Sequence, residues 1–197
     1  MKIINLRKAP GAREAWDRPK PVIYSWALLE TILVRSAWQP SSSIRVKLLR
    51  AFGAQIGDGV IIRPGVRVKF PWKLSVGDGS WIGEDVWIHN QDQVEIGHDA
   101  VVSQGSFITT GSHAFRDDMA LITKPVTIGS GAWVTSRCIV LSGSDVGESA
   151  LILPGTVVRG DVPAGSLFGA PPAAVVGERF STRTSNDVKA PEEHTDE

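Results

Sequence analysis

The chain has a single cysteine, Cys138, among 197 residues. No internal disulfide can form, and the composition suits a reducing compartment, so a cytoplasmic location is expected. Neither sign of charge is in excess, with 21 basic against 21 acidic residues, so nothing marks a nucleic-acid-binding protein. Long apolar runs are missing too. The stretch from Val22 to Trp38 is interrupted by Glu30 and Arg35 and is too short and too charged to span a membrane. Met1 to Arg18 hold charge but no apolar run, so no secretory leader is expected there. There is no G-x-x-x-x-G-K-[ST] phosphate loop and no G-x-S-x-G elbow.

What is present is a period of six. Aliphatic residues recur at Ile56, Ile62 and Val68, then Val76, Ile82 and Ile88, then Ile96, Val102 and Ile108. The series resumes at Ile128, Val134, Val140, Val146, Ile152 and Val158. Six fits neither the 3.6 of a helix nor the alternation of a hairpin strand. It is the mark of a parallel β-helix, three short strands to a coil, each aliphatic side chain stacking inside a narrow prism. Three places after the aliphatic residue the chain must turn a corner with φ > 0, open to glycine and less readily to Asn or Asp. That position holds Gly59, Gly65, Gly79, Gly105, Gly111, Gly131, Gly143 and Gly155, with Asp85, Asp99 and Asp161; outside the irregular hexads at Val68 and Ile88, only Arg137 and Ser149 depart from the rule.

The register slips in one place per coil. Val76 to Ile96 is twenty residues, eighteen plus two, and Ile96 to Ile128 is thirty-two, twenty plus twelve. Both slips fall at the same edge of the prism. The insertion at 114–125 therefore reads as a loop leaving that edge, with His113 the last residue before it. Functional residues of solenoids gather where insertions leave one face.

The expected organisation is an arm and two amphipathic helices over 1–53, a β-helix over 54–168, a closing segment over 169–180, and a polar, disordered tail over 181–197. The first helix is expected over Val22–Trp38, ended by Pro40, and the second from Ser41–Ser43 through Phe52, burying Ile44, Leu48, Leu49 and Phe52. Their simplest use is to cover the open first coil. A second use is contact with an anionic membrane through Arg35, Arg45, Lys47 and Arg50. Trp72, Trp81, Trp87 and Trp133 are too large for the small inward positions and should lie outward or at corners, as subunit contacts or ligand walls or, for Trp72 and Trp81, packed under the N-terminal helices. Cys138 occupies a small inward position.

Four histidines can carry chemistry: His89, His98, His113 and His194. His194 lies in the tail. The other three occupy different places in their hexads, so a three-histidine zinc site of the γ-carbonic-anhydrase kind is not expected, and no metal is called for. His113 follows Thr109-Thr110-Gly111-Ser112 at the loop's foot, where a neutral imidazole can take a proton from a substrate hydroxyl.

Three segments, LLRAFGAQIGDGVIIRPGVRVKFPWKLSVGDGSWIGEDVWIHN, VEIGHDAVVSQGSFITTGSHAF and KPVTIGSGAWVTSRCIVLSGSDVGESALILPGTVVRGDVP, followed by GAPPAAVVG, carry a resemblance. The chain resembles the hexapeptide-repeat acyltransferases, and among them the colanic-acid-type acetyltransferases of exopolysaccharide synthesis. The resemblance implies an all-β, left-handed parallel β-helix, a homotrimer, and acetyl-CoA as donor to a sugar hydroxyl on a polysaccharide or lipid-linked precursor. It places the general base on His113 and acceptor contacts on Asn90, Ser112 and Asp117. Coenzyme A would lie in the groove between neighbouring prisms, walled by Trp133, Ser136, Pro154 and Arg159. Such enzymes usually have Asp after the histidine, where this chain has Ala114; Asp117, Asp118 or a backbone carbonyl must then orient the imidazole. Gly160 and Ala174 stand where lysine is common, leaving Arg159 and Arg179 as the cations. N-acetyl transfer to an amino sugar and a non-catalytic β-helix scaffold are the alternatives.

Overall fold

Aliphatic side chains spaced six apart are all buried only if the chain turns a corner between them, and it does. The computed structural model describes residues 3–11, 15–171 and 174–175. The closing segment expected over 169–180 lies largely outside these residues, and the tail entirely outside.

Strands of two or three residues form the three faces of a parallel β-helix. The first face stacks Gln55–Ile56, Leu74–Val76, Val94–Ile96, Val126–Ile128, Asp145–Val146 and Asp161–Val162. The second stacks Ile61–Ile62, Trp81–Ile82, Val101–Val102, Trp133–Val134, Leu151–Ile152 and Leu167–Phe168. The third stacks Arg67–Val68, Trp87–His89, Phe107–Thr109, Ile139–Val140 and Val157–Val158. Like residues sit over like: Ile62 on Ile82, Val134 on Ile152, Val140 on Val158. The hexad aliphatics are all buried, as is Cys138.

The corners explain the glycines, with two corrections. Asp85, Asp99, Arg137 and Ser149 take φ of 57°, 53°, 58° and 55°, so the coil imposes the left-handed corner even where no glycine or Asp was chosen. Gly111 is not a corner of the prism; it opens a hairpin strand. Asp161 is a first-face strand residue paired with Asp145, and the positive φ falls on Gly160, at 81°. The last coil is two residues shorter than the regular eighteen, with Val146 to Val162 spanning sixteen. A second set of glycines serves close approach. A Cβ at Gly97 would lie 2.5 Å from the backbone nitrogen of Ser130 on the next coil, and one at Gly77 would lie 2.5 Å from that of His98.

The N-terminal segment covers the first coil. Helix α1 runs Lys20–Leu29, continues as a π-helical turn over Glu30–Val34, and is followed by α2, Ser42–Ala51. Buried Trp26 donates from Nε1 to Val68 O at 2.8 Å, and Ser42 Oγ accepts the Ile62 N–H at 2.8 Å. The face of α2 is rotated from the one expected: Arg45, Val46 and Leu49 are buried, while Ile44 is 46% exposed. Arg45 turns inward because the chain leaving α1 presents carbonyls there. Its guanidinium donates to Val34 O at 2.9 Å, Ser36 O at 3.0 Å and Gln39 O. Arg50 likewise caps the first coil, donating to Ile56 O and Gly57 O at 2.8 and 2.7 Å. Two of the four basic residues considered for membrane contact are thus engaged within the fold. Trp72 is held by the arm, donating to Asp17 Oδ1 at 2.7 Å, whereas Trp81, Trp87 and Trp133 face outward.

Candidate functional site

Everything irregular about this solenoid is concentrated at one edge, where the third face returns to the first. Because Val68 pairs with Ile88, His89 with Thr109, and Val140 with both Ile108 and Val158, the residues leaving the third face form a column. In order it reads Lys69, His89, Thr109, Leu141, Arg159.

The insertion leaves this column at Thr109, and it is a β-hairpin rather than a plain loop. Gly111–His113 pairs antiparallel with Leu121–Thr123, and His113 lies opposite Leu121. Gly111 lets the Gln91 side chain pack close at the root: a Cβ there would lie 2.1 Å from Gln91 Oε1, which would have to swing aside. The hairpin's base is closed by the Lys124 N–H on Thr110 O at 3.0 Å. His113 is exposed, and its Nδ1 lies 2.9 Å from Met119 O. A carbonyl only accepts, so Nδ1 carries the hydrogen, and in the neutral ring Nε2 keeps its lone pair for an incoming proton. Of the three possible orienting groups, the backbone carbonyl makes the contact. Asp118 Oδ1 instead accepts the Ala120 N–H at 2.8 Å. Met119, with φ of 64°, is held in the left-handed region that turns this carbonyl toward the ring.

At the hairpin's foot a cleft of about 320 Å³ is lined by Ser112, Phe115, Lys124, Leu141, Ser142 and Arg159, among others. It brings Ser112 and Arg159 together and adds Lys124, which the sequence reading missed. The other candidates are placed differently. Asn90 is fully buried: its Oδ1 accepts the Phe70 N–H at 3.0 Å, and its Nδ2 donates to Phe70 O and Lys73 O at 2.7 and 3.0 Å. With both amide hydrogens committed, the side chain pins the longer corner of the second coil. Asp117 is exposed on the hairpin turn. Trp133, on the second face, donates from Nε1 to Ser103 Oγ at 2.8 Å. Ser136 and Pro154 sit at the corner between second and third faces, with Pro154 beside a separate cleft under Phe168–Pro171. Within one chain the four proposed coenzyme walls therefore fall on different edges. Arg179 lies outside the described residues.

The lower column was also missed as a unit. Lys69 Nζ lies 3.3 Å from His89 Nε2, so the ammonium donates to a neutral ring. Burial pushes the Lys69 amine below its usual range. Burial, and then the Lys69 charge, does the same to the His89 imidazole. His98, by contrast, pairs with Asp99 at a distant corner, 2.9 Å away, so the three histidines stand apart. The signal for the column was available: each member directly follows a third-face aliphatic position or ends its strand.

The chain matches no protein-family model. It is 36% identical over 160 residues to a protein named as a colanic acid biosynthesis acetyltransferase, WcaF of Escherichia coli, covering 80% of this chain and 86% of that one. Among solved structures it is similar to a hexapeptide-repeat acetyltransferase of Vibrio cholerae complexed with acetyl coenzyme A, at a TM-score of 0.70 and 20% identity, covering 82% of this chain and 89% of the other. It is also similar to a galactoside acetyltransferase in complex with coenzyme A, at a TM-score of 0.65 and 20% identity, covering 80% and 77%. The solenoid is thus of the left-handed kind. With its repeats, its hairpin and this identity across most of both chains, the protein belongs to the hexapeptide-repeat acyltransferases, in the group of the colanic-acid-biosynthesis acetyltransferases.

Proposed function

We propose that the chain transfers an acetyl group from acetyl-CoA to a sugar hydroxyl in the synthesis of an exopolysaccharide or surface glycan, with His113 as general base. The observation that carries this is the Nδ1 contact to Met119 O on an exposed ring, which leaves Nε2 as the proton acceptor. The acceptor hydroxyl gives its proton to Nε2 as its oxygen attacks the acyl carbon, and the thiolate leaves. Acetyl-CoA supplies the activated thioester. The cleft beside the hairpin suits such a donor in chemistry, with Lys124 and Arg159 as cations for phosphates and Phe115 and Leu141 as apolar wall. Thiol release from acetyl-CoA with a panel of sugars, amino sugars and glycan repeat units tests the reading. Release that depends on a hydroxyl acceptor is expected. No release with any acceptor, together with no coenzyme binding by calorimetry, would put the scaffold reading first.

The working unit in this reading is a homotrimer. The outward residues of the first face are polar: Gln55, Ser75, Glu95, Thr127, Asp145 and Asp161. Those of the second are apolar, running Ile61, Trp81, Val101, Trp133, Leu151, Leu167, with Trp81 56% and Leu167 75% exposed. The third adds Phe107, Ile139 and Val157. Two different apolar faces on one prism suit a head-to-tail contact that closes into a ring. Such a ring also brings the corner holding Ser136 and Pro154 of one copy toward the edge of the next. Replacing Trp81 and Trp133 together by Glu is expected to give monomers by equilibrium sedimentation and to abolish turnover. A monomer with full activity would sink the trimer.

We also infer a cytoplasmic site of action with peripheral membrane contact. Tyr24, Leu28 and Ile32, spaced four apart on one side of α1 and its continuation, are 62%, 61% and 52% exposed. No helix among the described residues is long and apolar enough to cross a membrane; in this reading the exposed side lies along the membrane surface. Leu28→Glu with Ile32→Glu is expected to remove most co-sedimentation with anionic vesicles. Unchanged co-sedimentation would reject the contact.

A further inference from the structure

A second cleft, of about 370 Å³, opens between α1 and the third face, at the lower end of the column. Three cations line it, Arg35, Arg67 and Lys69, beside His89 and one carboxylate, Glu30. Among the described residues none of these cations has a carboxylate oxygen within 4.0 Å. Two of them rest on aromatic rings instead: the Arg67 guanidinium lies 5.5 Å from the centre of Trp87, and the Lys69 ammonium 5.6 Å from that of Phe70. A cation on a ring face keeps its N–H donors for another partner. Burial raises the Glu30 carboxyl above its usual range, against the opposing pull of the Arg35 and Arg67 charges, and lowers Lys69 and His89, so these three groups lack full compensation for lost water. The electrostatic deficit is an anion. The exposed sides of Trp16 and Trp87 add flat apolar surface of the kind that receives the C–H face of a sugar ring.

Resting on the acyltransferase reading, we propose that this cleft holds the acceptor, and that the acceptor is an anionic saccharide whose carboxylate or phosphate is clasped by Arg67 and Lys69, with Arg35 opposite and a sugar ring against Trp87. The cleft stands one coil below the strand that runs into the hairpin, since His89 pairs with Thr109. A saccharide anchored there extends up the column toward His113. Glu30 then accepts a hydrogen bond from a sugar hydroxyl rather than meeting the anion. Neutral sugars fit the ring surface but leave the cations without a partner, so the chain discriminates by charge.

Binding to the full-length protein without acetyl-CoA separates this proposal from the chemistry. Calorimetry would compare methyl glucuronide, glucose 6-phosphate, inorganic phosphate and neutral methyl glucoside. At least one anionic sugar is expected to bind about tenfold or more tighter than the neutral one and than inorganic phosphate. Which of the two wins identifies the anion. With only four histidines in the chain, the His89 ring signals can be followed by NMR and should move with the anionic sugar. In Arg67→Gln/Lys69→Gln the preference should fall to about one, and Lys69→Arg should restore part of it. The melting temperature controls for folding. Equal affinity for neutral and anionic sugars, a preference that survives the double substitution, or unmoved His89 signals would each overturn the proposal. Sugar-dependent thiol release persisting alongside any of these would leave the acyltransferase reading intact.

Discussion

Replacing His113 by alanine is expected to lower sugar-dependent thiol release by about 10²–10⁴-fold, the range a general base contributes, with little change in coenzyme binding. The hairpin has its own ladder and a closed base, so removal of an exposed ring leaves its backbone in place. The loss should then appear in kcat, because the imidazole acts on the proton in transit and not on the bound sugar. The source of its orientation makes a second arm. With Met119 O holding Nδ1, Asp117→Asn and Asp118→Asn should each change turnover only a few-fold. A fall as deep as that of His113→Ala in either would move the orienting role to that carboxylate. Full activity in His113→Ala would place the base elsewhere.

Gly97→Ala is expected to cost about 2–4 kcal/mol, at the upper end of overpacking effects. The added Cβ would meet Ser130 N at 2.5 Å and Ser130 Cα at 2.7 Å, on a neighbouring coil. That backbone cannot retreat: Gly97 N is bonded to Ile128 O at 2.8 Å and Gly131 N to His98 O at 2.9 Å, one on each side of the contact. Gly155→Ala is the matched control. Gly155 has φ of 72° and nothing within 4 Å of an added Cβ, so alanine there bears only the left-handed strain, about 1–2 kcal/mol. Urea unfolding at one fixed protein concentration compares the two. If Gly97→Ala costs no more than Gly155→Ala, coil spacing is softer than these contacts imply.

The prism was legible because its two constraints, inward stacking and a tight corner, act on single positions at a fixed interval. The common edge of the slips was legible by arithmetic alone. What escaped depended on partners distant in sequence. Arg45 reads as a solvated cation on a helical wheel, and only the carbonyls of Val34, Ser36 and Gln39 explain its burial. Asn90 reads as a ligand contact until the Phe70 and Lys73 backbone groups are seen to occupy it. Asp161 fitted the corner count because the last coil shortens at Gly160, a change no periodicity announces. His113 stands out in the sequence by its place before the insertion, but the carbonyl that contacts it comes from Met119, at a φ that no sequence pattern favours. The Lys69–His89 pair went unread because each residue is unremarkable until the coils are stacked.

The bond between Lys124 N and Thr110 O gives the hairpin a property of its own. The chain enters and leaves the appendage at almost one point, so the solenoid carries it as a side branch and no coil is threaded through it. Sequence change within 111–123 can reshape or erase the chemistry while every rung above and below keeps its neighbour. In the proposed reading the shaft's stability and the proton acceptor are therefore inherited separately, one written in the glycines and aliphatics of the coils, the other in thirteen residues hung from their side.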